Sequence, residues 1–165
     1  LVENALHITH EAVTDRTTVV NLTNHSYFRL DDENKIDGYL LKLSCPQMVE
    51  TLSNKLPTGT VASVTNTHFD FLEEKEIGSI RLDTPMIIDP KATAVARVSS
   101  KKSGIAVEVS TNQRALVVYT PTDFPAICFE VQNYPDAPNF PHFPSSMLRP
   151  GEQYENRASF TFDLI

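Results

Sequence analysis

The chain has 165 residues, 41% of them hydrophobic and 21% charged, with 14 basic against 21 acidic side chains. That length supports one well-cored domain, and no apolar run approaches the ~20 residues that a membrane-spanning helix requires. A net charge of −7 without any basic stripe excludes a phosphate-backbone binder, which must displace counterions with clustered Lys and Arg.

Alternating or β-branched runs recur at short intervals along the chain: "ALHITHEAV" (5–13), "TTVVNLT" (17–23), "GYLLKLS" (38–44), "GTVASV" (59–64), "TAVARVS" (93–99), "IAVEVST" (105–111), "ALVVYT" (115–120), "AICFEV" (126–131) and "ASFTFDLI" (158–165). This is the rhythm of half-buried strands. Asp37-Gly38, Pro57-Thr58-Gly59, Ser103-Gly104 and Pro150-Gly151 are the expected reversals. The longest candidate helix, around Phe71 to Ile77, reaches about two turns, less than an isolated helix needs. An all-β fold is expected, with the whole chain in one domain.

The first stretch with chemical potential is "VVNLTNHSYFRL". If the strand from Thr17 continues, Asn21, Thr23, His25 and Tyr27 project to one face while Leu22, Asn24 and Phe28 project to the other. His25 then sits on a polar, partly aromatic face, although a histidine satisfied by backbone carbonyls near a strand end also fits. The two Asn-x-Ser/Thr sequons in this stretch are discounted for want of any secretion signal. His7 and His10, three apart on a strand, point to opposite faces and cannot chelate one ion. No metal or cofactor site is expected.

Farther on, "PAICFEVQNYPDAPN" alternates so that Ala126, Cys128, Glu130 and Gln132 share one face and Ile127, Phe129 and Val131 the other. A carboxylate in so apolar a strand is costly unless paired or working, which makes Glu130 the best general-base candidate. A carboxylate on the wet face of a sandwich is the alternative. Cys45 and Cys128 lie in apolar segments without CxxC spacing and are expected as buried, reduced thiols. With no leader sequence, a cytoplasmic address is expected. Five prolines between Pro135 and Pro150 forbid a ladder, so that segment reads as an irregular crossing whose Tyr134, Phe140 and Phe143 pack on the sheet.

Six blocks in order along the chain carry a resemblance: "VVNLTNHSYFRL", "LPTGTVASVTNTHFDF" followed by "IG", "LDTPMIID", "SGIAVEVSTNQRALVVYT", "ICFEVQNYPDAPN" and "LRPGEQYENRASFTF". Together they resemble the aldose 1-epimerases, or galactose mutarotases, over the C-terminal part of that family's domain. The chain opens in mid-pattern without an initiator Met, which reads as a fragment lacking the N-terminal part. The resemblance implies a mutarotase-like β-sandwich with a sugar cleft on one concave sheet. It also implies interconversion of the α and β anomers of a free aldose such as galactose or glucose, without cofactor or metal.

On that resemblance His25 is the general acid at the ring oxygen and Glu130 the base at the anomeric hydroxyl. Asp83, Asn24, Tyr27 and Gln132 are then the sugar-binding residues. Three departures stand out. The arginine and second histidine that the family draws from its N-terminal half have no counterpart in these residues. The connection from Tyr119 to Ile127 is short for the family, and Leu82 and Pro85 replace an aromatic and a polar residue beside Asp83. A non-catalytic sugar-binding sandwich is therefore the alternative. A hexose 6-phosphate enzyme ranks below both, because Arg29, Lys35 and Arg114 are scattered. The Pro-rich "NFPHFP" is the one candidate for an extended protein partner.

Overall fold

The computed structural model describes residues 3–165. Its strands are β1 (Ala5–Ala12), β2 (Thr18–Val19), β3 (Tyr27–Phe28), β4 (Leu40–Leu43), β5 (Gln47–Thr51), β6 (Pro57–Ser63), β7 (Lys75–Glu76), β8 (Asp83–Ile87), β9 (Ala96–Ser99), β10 (Ile105–Thr111), β11 (Ala115–Tyr119), β12 (Ile127–Gln132), β13 (Met147–Leu148) and β14 (Tyr154–Leu164). All pairings are antiparallel. One sheet runs β1-β14-β10-β9-β4-β7, the second β3-β12-β11-β8-β5-β6, and β2 pairs with β13 in a small ribbon. The expected all-β sandwich is what forms.

The period-2 pattern decides which faces meet. Leu41, Leu43, Val98, Val107, Val109 and Phe160 from the first sheet pack against Met86, Leu116, Val118, Ile127, Phe129 and Val131 from the second, all essentially removed from water. Each such side chain contributes roughly 1.5–3 kcal/mol by burial. Asn156, on β14, is fully buried between the sheets and donates from Nδ2 to Leu22 O at 2.7 Å and Val131 O at 2.8 Å. It thereby ties the segment before β3 to both layers.

Three expectations change. Residues 71–77 hold no helix: Phe71 and Ile77 are core residues, and Lys75–Glu76 is the edge strand β7. Burying two large apolar side chains in an extended segment outweighs the weak local propensity. The stretch from Thr17 is not one strand, because only Thr18–Val19 and Tyr27–Phe28 pair. Between them side chains replace the ladder: Thr23 Oγ1 donates to Val131 O at 2.9 Å, and Asn133 N donates to Asn21 Oδ1 at 2.8 Å. Pro57 to Gly59 begin β6 instead of making a turn. The reversal lies just before, where Lys55 N donates to Leu52 O at 2.9 Å and Lys55 takes φ 69°. The central strand β8 carries Pro85 between β11 and β5, and its ladder with β5 spans only Met86 and Ile87. The absent N–H of Pro85 lies beyond that ladder.

The Pro-rich crossing after β12 packs down as expected. Phe143 and Ala137 bury against Val49 and Ile87 on the outer face of the second sheet, with Tyr134, Phe140 and Val61 around them. Gly59 takes φ 86°, and a Cβ there would meet the Phe140 ring at 2.6 Å. Only glycine allows that approach. Asn133 anchors the crossing from below, donating from Nδ2 to Pro144 O at 2.9 Å and Ser146 Oγ at 2.8 Å.

Candidate active site

The other half of that outer face is open, and the sheet register determines what stands on it. Asp83 on β8 lies opposite Tyr119 on β11, Tyr119 opposite Cys128 on β12, and Cys128 opposite Tyr27 on β3. Cross-strand neighbours of this kind share a face. The adjoining row is Pro85, Val117 and Glu130, and the next is Ile87, Ala115 and Gln132. Extending the β3–β12 register two residues back from Tyr27 puts His25 across from Glu130.

The side chains meet there. His25 Nε2 lies 3.2 Å from Glu130 Oε1, with 49% of the imidazole exposed and 15% of the carboxylate. The opposite ring nitrogen, Nδ1, is 3.4 Å from Cys128 Sγ. Tyr27 and Tyr119 flank the imidazole with ring centroids at 5.1 Å and 6.0 Å, and Phe124 extends the aromatic surface 4.9 Å beyond Tyr27.

Burial raises the Glu130 carboxyl above the ordinary glutamate range; His25 pulls it back down, and the negative charge of Asp83 pushes it up again. A carboxylate held this way is a better base than one in water. The Cys128 thiol is pushed up to about 12, first by burial and then by the Glu130 charge, and so keeps its proton.

The remaining sequence candidates divide. Asp83 stands in the first row with its Oδ2 3.4 Å from Lys55 Nζ, an exposed pair. Gln132 is two residues past Glu130 on the same face, and its Oε1 accepts from Asn21 Nδ2 at 3.4 Å. Asn24 is committed locally: its Oδ1 accepts the Ser26 N–H at 3.1 Å and shapes the turn that delivers His25. Sequence reasoning did not single out Tyr119, Lys55 or the contact of Cys128 with His25. Tyr119 was within reach of the alternation rule, since "ALVVYT" puts it on the face of Ala115 and Val117; the other two depend on pairings between distant strands.

Cys128, His25 and Glu130 could each offer a ligand atom to one ion, the three lying within 4.8 Å of one another. The geometry does not favour this. The thiol and the carboxylate address opposite nitrogens of the same ring, so the imidazole lies between them, and the thiol would have to lose a strongly held proton. Among the described residues, His7 and His10 sit on alternate faces of β1, and His7 Nδ1 is 2.9 Å from Ser159 Oγ.

A family model described as aldose 1-epimerase matches residues 1–161. The chain belongs to the aldose 1-epimerase family. Curated relatives in the family include the galactose mutarotase of Mus musculus, 31% identical over 183 aligned residues that cover 95% of this chain and 54% of the relative. The maltose epimerase of Levilactobacillus brevis is 28% identical, covering 97% and 54%. Among solved structures, an aldose epimerase homologue from C. elegans superposes with a TM-score of 0.93 at 30% identity, covering 98% of this chain and 57% of that one. The galactose 1-epimerase of Lactobacillus acidophilus gives 0.86 at 27%, covering 98% and 54%. The chain thus spans about half the length of the curated relatives it matches. The alignment with the mouse protein is longer than the chain itself, so that relative carries segments with no counterpart here.

Proposed function

We propose that this chain carries the proton-transfer residues of an aldose 1-epimerase that interconverts the α and β anomers of galactose or glucose. The observation that supports this most is the contact of His25 Nε2 with Glu130 Oε1, 3.2 Å apart on an open sheet face of a member of that family. A donor and an acceptor side by side match what ring opening demands, because the ring oxygen and the anomeric hydroxyl share one carbon.

In this mechanism the imidazolium form of His25 gives the Nε2 proton to the ring oxygen while Glu130 takes the proton of the anomeric hydroxyl. The bond from C1 to the ring oxygen breaks and the aldehyde C=O forms. Rotation about C1–C2 presents the other carbonyl face, and ring closure runs the same transfers in reverse. No metal or cofactor enters these steps. Asp83, Gln132 and Tyr27 bind the sugar in this reading, and Asn24 acts through the turn before His25. The aromatic surface of Tyr27, Tyr119 and Phe124 suits the apolar face of a pyranose. We assign the setting to galactose metabolism in the cytoplasm; two buried free cysteines are in keeping with a reducing compartment.

The half-exposed imidazole supports a second reading, a sugar-binding sandwich without turnover. Optical rotation of freshly dissolved α-D-galactose decides between them. The catalytic reading predicts decay to equilibrium faster than in buffer, and loss of that acceleration in Glu130→Gln. Sugar-dependent NMR shifts of His25 with mutarotation at the buffer rate would establish the second reading instead.

A further inference from the structure

The His25 ring touches a partner on each nitrogen, and the proton-transfer mechanism uses only one of them. Cys128 is the other. Its side chain is fully buried, its backbone is clamped between β11 and β3, and it stands two residues before Glu130 on the same face of β12. One rigid strand therefore contacts both ends of the imidazole, Sγ at Nδ1 and Oε1 at Nε2.

Building on the proposed acid role of His25, we propose that Cys128 is its positioning residue: the thiol hydrogen-bonds Nδ1 and keeps Nε2 as the nitrogen that faces Glu130 and the sugar. The chemistry of sulfur suits the task. A thiol is a weak donor and a weak acceptor at once. When the ring is neutral with its proton on Nε2, S–H donates to Nδ1. When the ring is an imidazolium, or has just released the Nε2 proton, Nδ1–H donates to a sulfur lone pair. The thiol turns about its C–S bond and the ring stays still.

No proton passes to sulfur in any of these states, because burial holds the thiol protonated. A carboxylate at this position could only accept, and it would strengthen His25 as a base. That is the wrong direction for a group that must protonate a weakly basic ring oxygen. A backbone N–H could only donate, and would oppose the imidazolium. The Cys128 thiol fits every state of the cycle while barely favouring one.

Cys128→Ser and Cys128→Val separate hydrogen bonding from packing, since serine keeps a polar hydrogen while valine fills the space. Two measurements are made on each. In mutarotation kinetics, Cys128→Val is expected to lower kcat roughly tenfold to a hundredfold, the scale set by misplacing a catalytic group by about 1 Å, with KM nearly unchanged. Cys128→Ser is expected to recover part of that loss. The converse order, full kcat in Cys128→Val with loss in Cys128→Ser, reduces Cys128 to a packing role and overturns the proposal.

The second measurement, the imidazole ¹⁵N spectrum, needs no turnover and so separates this inference from the catalytic reading on which it rests. The His25 Nδ1 resonance is expected to shift in Cys128→Val and return toward the wild-type position in Cys128→Ser, with His7, His10, His68 and His142 unmoved. An Nδ1 resonance unchanged in Cys128→Val shows that sulfur is no partner of the ring, whatever the wild-type activity.

Discussion

The outer face of the second sheet is built from the same strands throughout, yet its two halves are physically opposite. At one end the Pro-rich crossing lays Phe143 and Ala137 over Val49 and Ile87, and the result is a small second core. At the other end, among the described residues, His25 and Tyr27 stay about half exposed, and the carboxylate of Glu130 is mostly buried beside the imidazole. The first half spends its apolar surface on stability. The second leaves aromatic surface facing solvent and holds a carboxyl above its ordinary range, a combination that costs stability and that a ligand can use.

Substitutions in the two halves sharpen this contrast. Glu130→Gln should have the largest effect, slowing mutarotation by about 10² to 10⁴, the usual worth of a general acid–base group, while leaving the fold intact by circular dichroism. Phe143→Ala, in the closed half, should reverse the pattern: a stability loss of about 3 kcal/mol in urea unfolding from the cavity it leaves, with the His25 and Glu130 contact retained. Tyr27→Ala, in the open half, removes a side chain that is 43% exposed. It should change stability by under about 1 kcal/mol and weaken sugar binding instead.

The Glu130 shift gives a pH test. A carboxyl raised in the folded state binds its proton more tightly there than in the unfolded chain, so the stability linked to it is complete below the ordinary glutamate value. It is lost as pH rises from that value through the raised one. Unfolding free energies measured across this window should fall more steeply for the wild type than for Glu130→Gln, which has no proton to lose; parallel curves would mean the carboxyl is not shifted. The smallest effect belongs to Lys55→Met. The ion pair of Lys55 with Asp83 is exposed on both sides and should contribute under about 1 kcal/mol, fading with added salt.

What could be read from the residues alone follows from where periodicity applies. Glu130 and Gln132 are on the strand face that alternation assigns them, because β12 is regular and buried on its other side. His25 shares the face of Tyr27 because the β3–β12 register, extended two residues back from Tyr27, sets it across from Glu130. Alternation failed just upstream, where Asn21 and Thr23 bond to the edge of β12 through their side chains, a substitution for the ladder that leaves no period behind. That β8 accommodates Pro85 depends on the short extent of its ladder with β5, which is a tertiary fact. Cys128 was legible as a buried thiol but not as the neighbour of His25, since their contact spans more than a hundred residues of chain.

The central claim is that His25 and Glu130 act together on one sugar ring. Exchange spectroscopy of equilibrated galactose anomers measures the interconversion rate directly for the wild type, His25→Asn, Glu130→Gln and the double variant. Groups that work as one unit lose most of their effect when either is removed. The account predicts that each single variant is slowed strongly and that the double variant is no slower than the slower single. Losses that multiply in the double variant, or single variants as fast as the wild type, would contradict it.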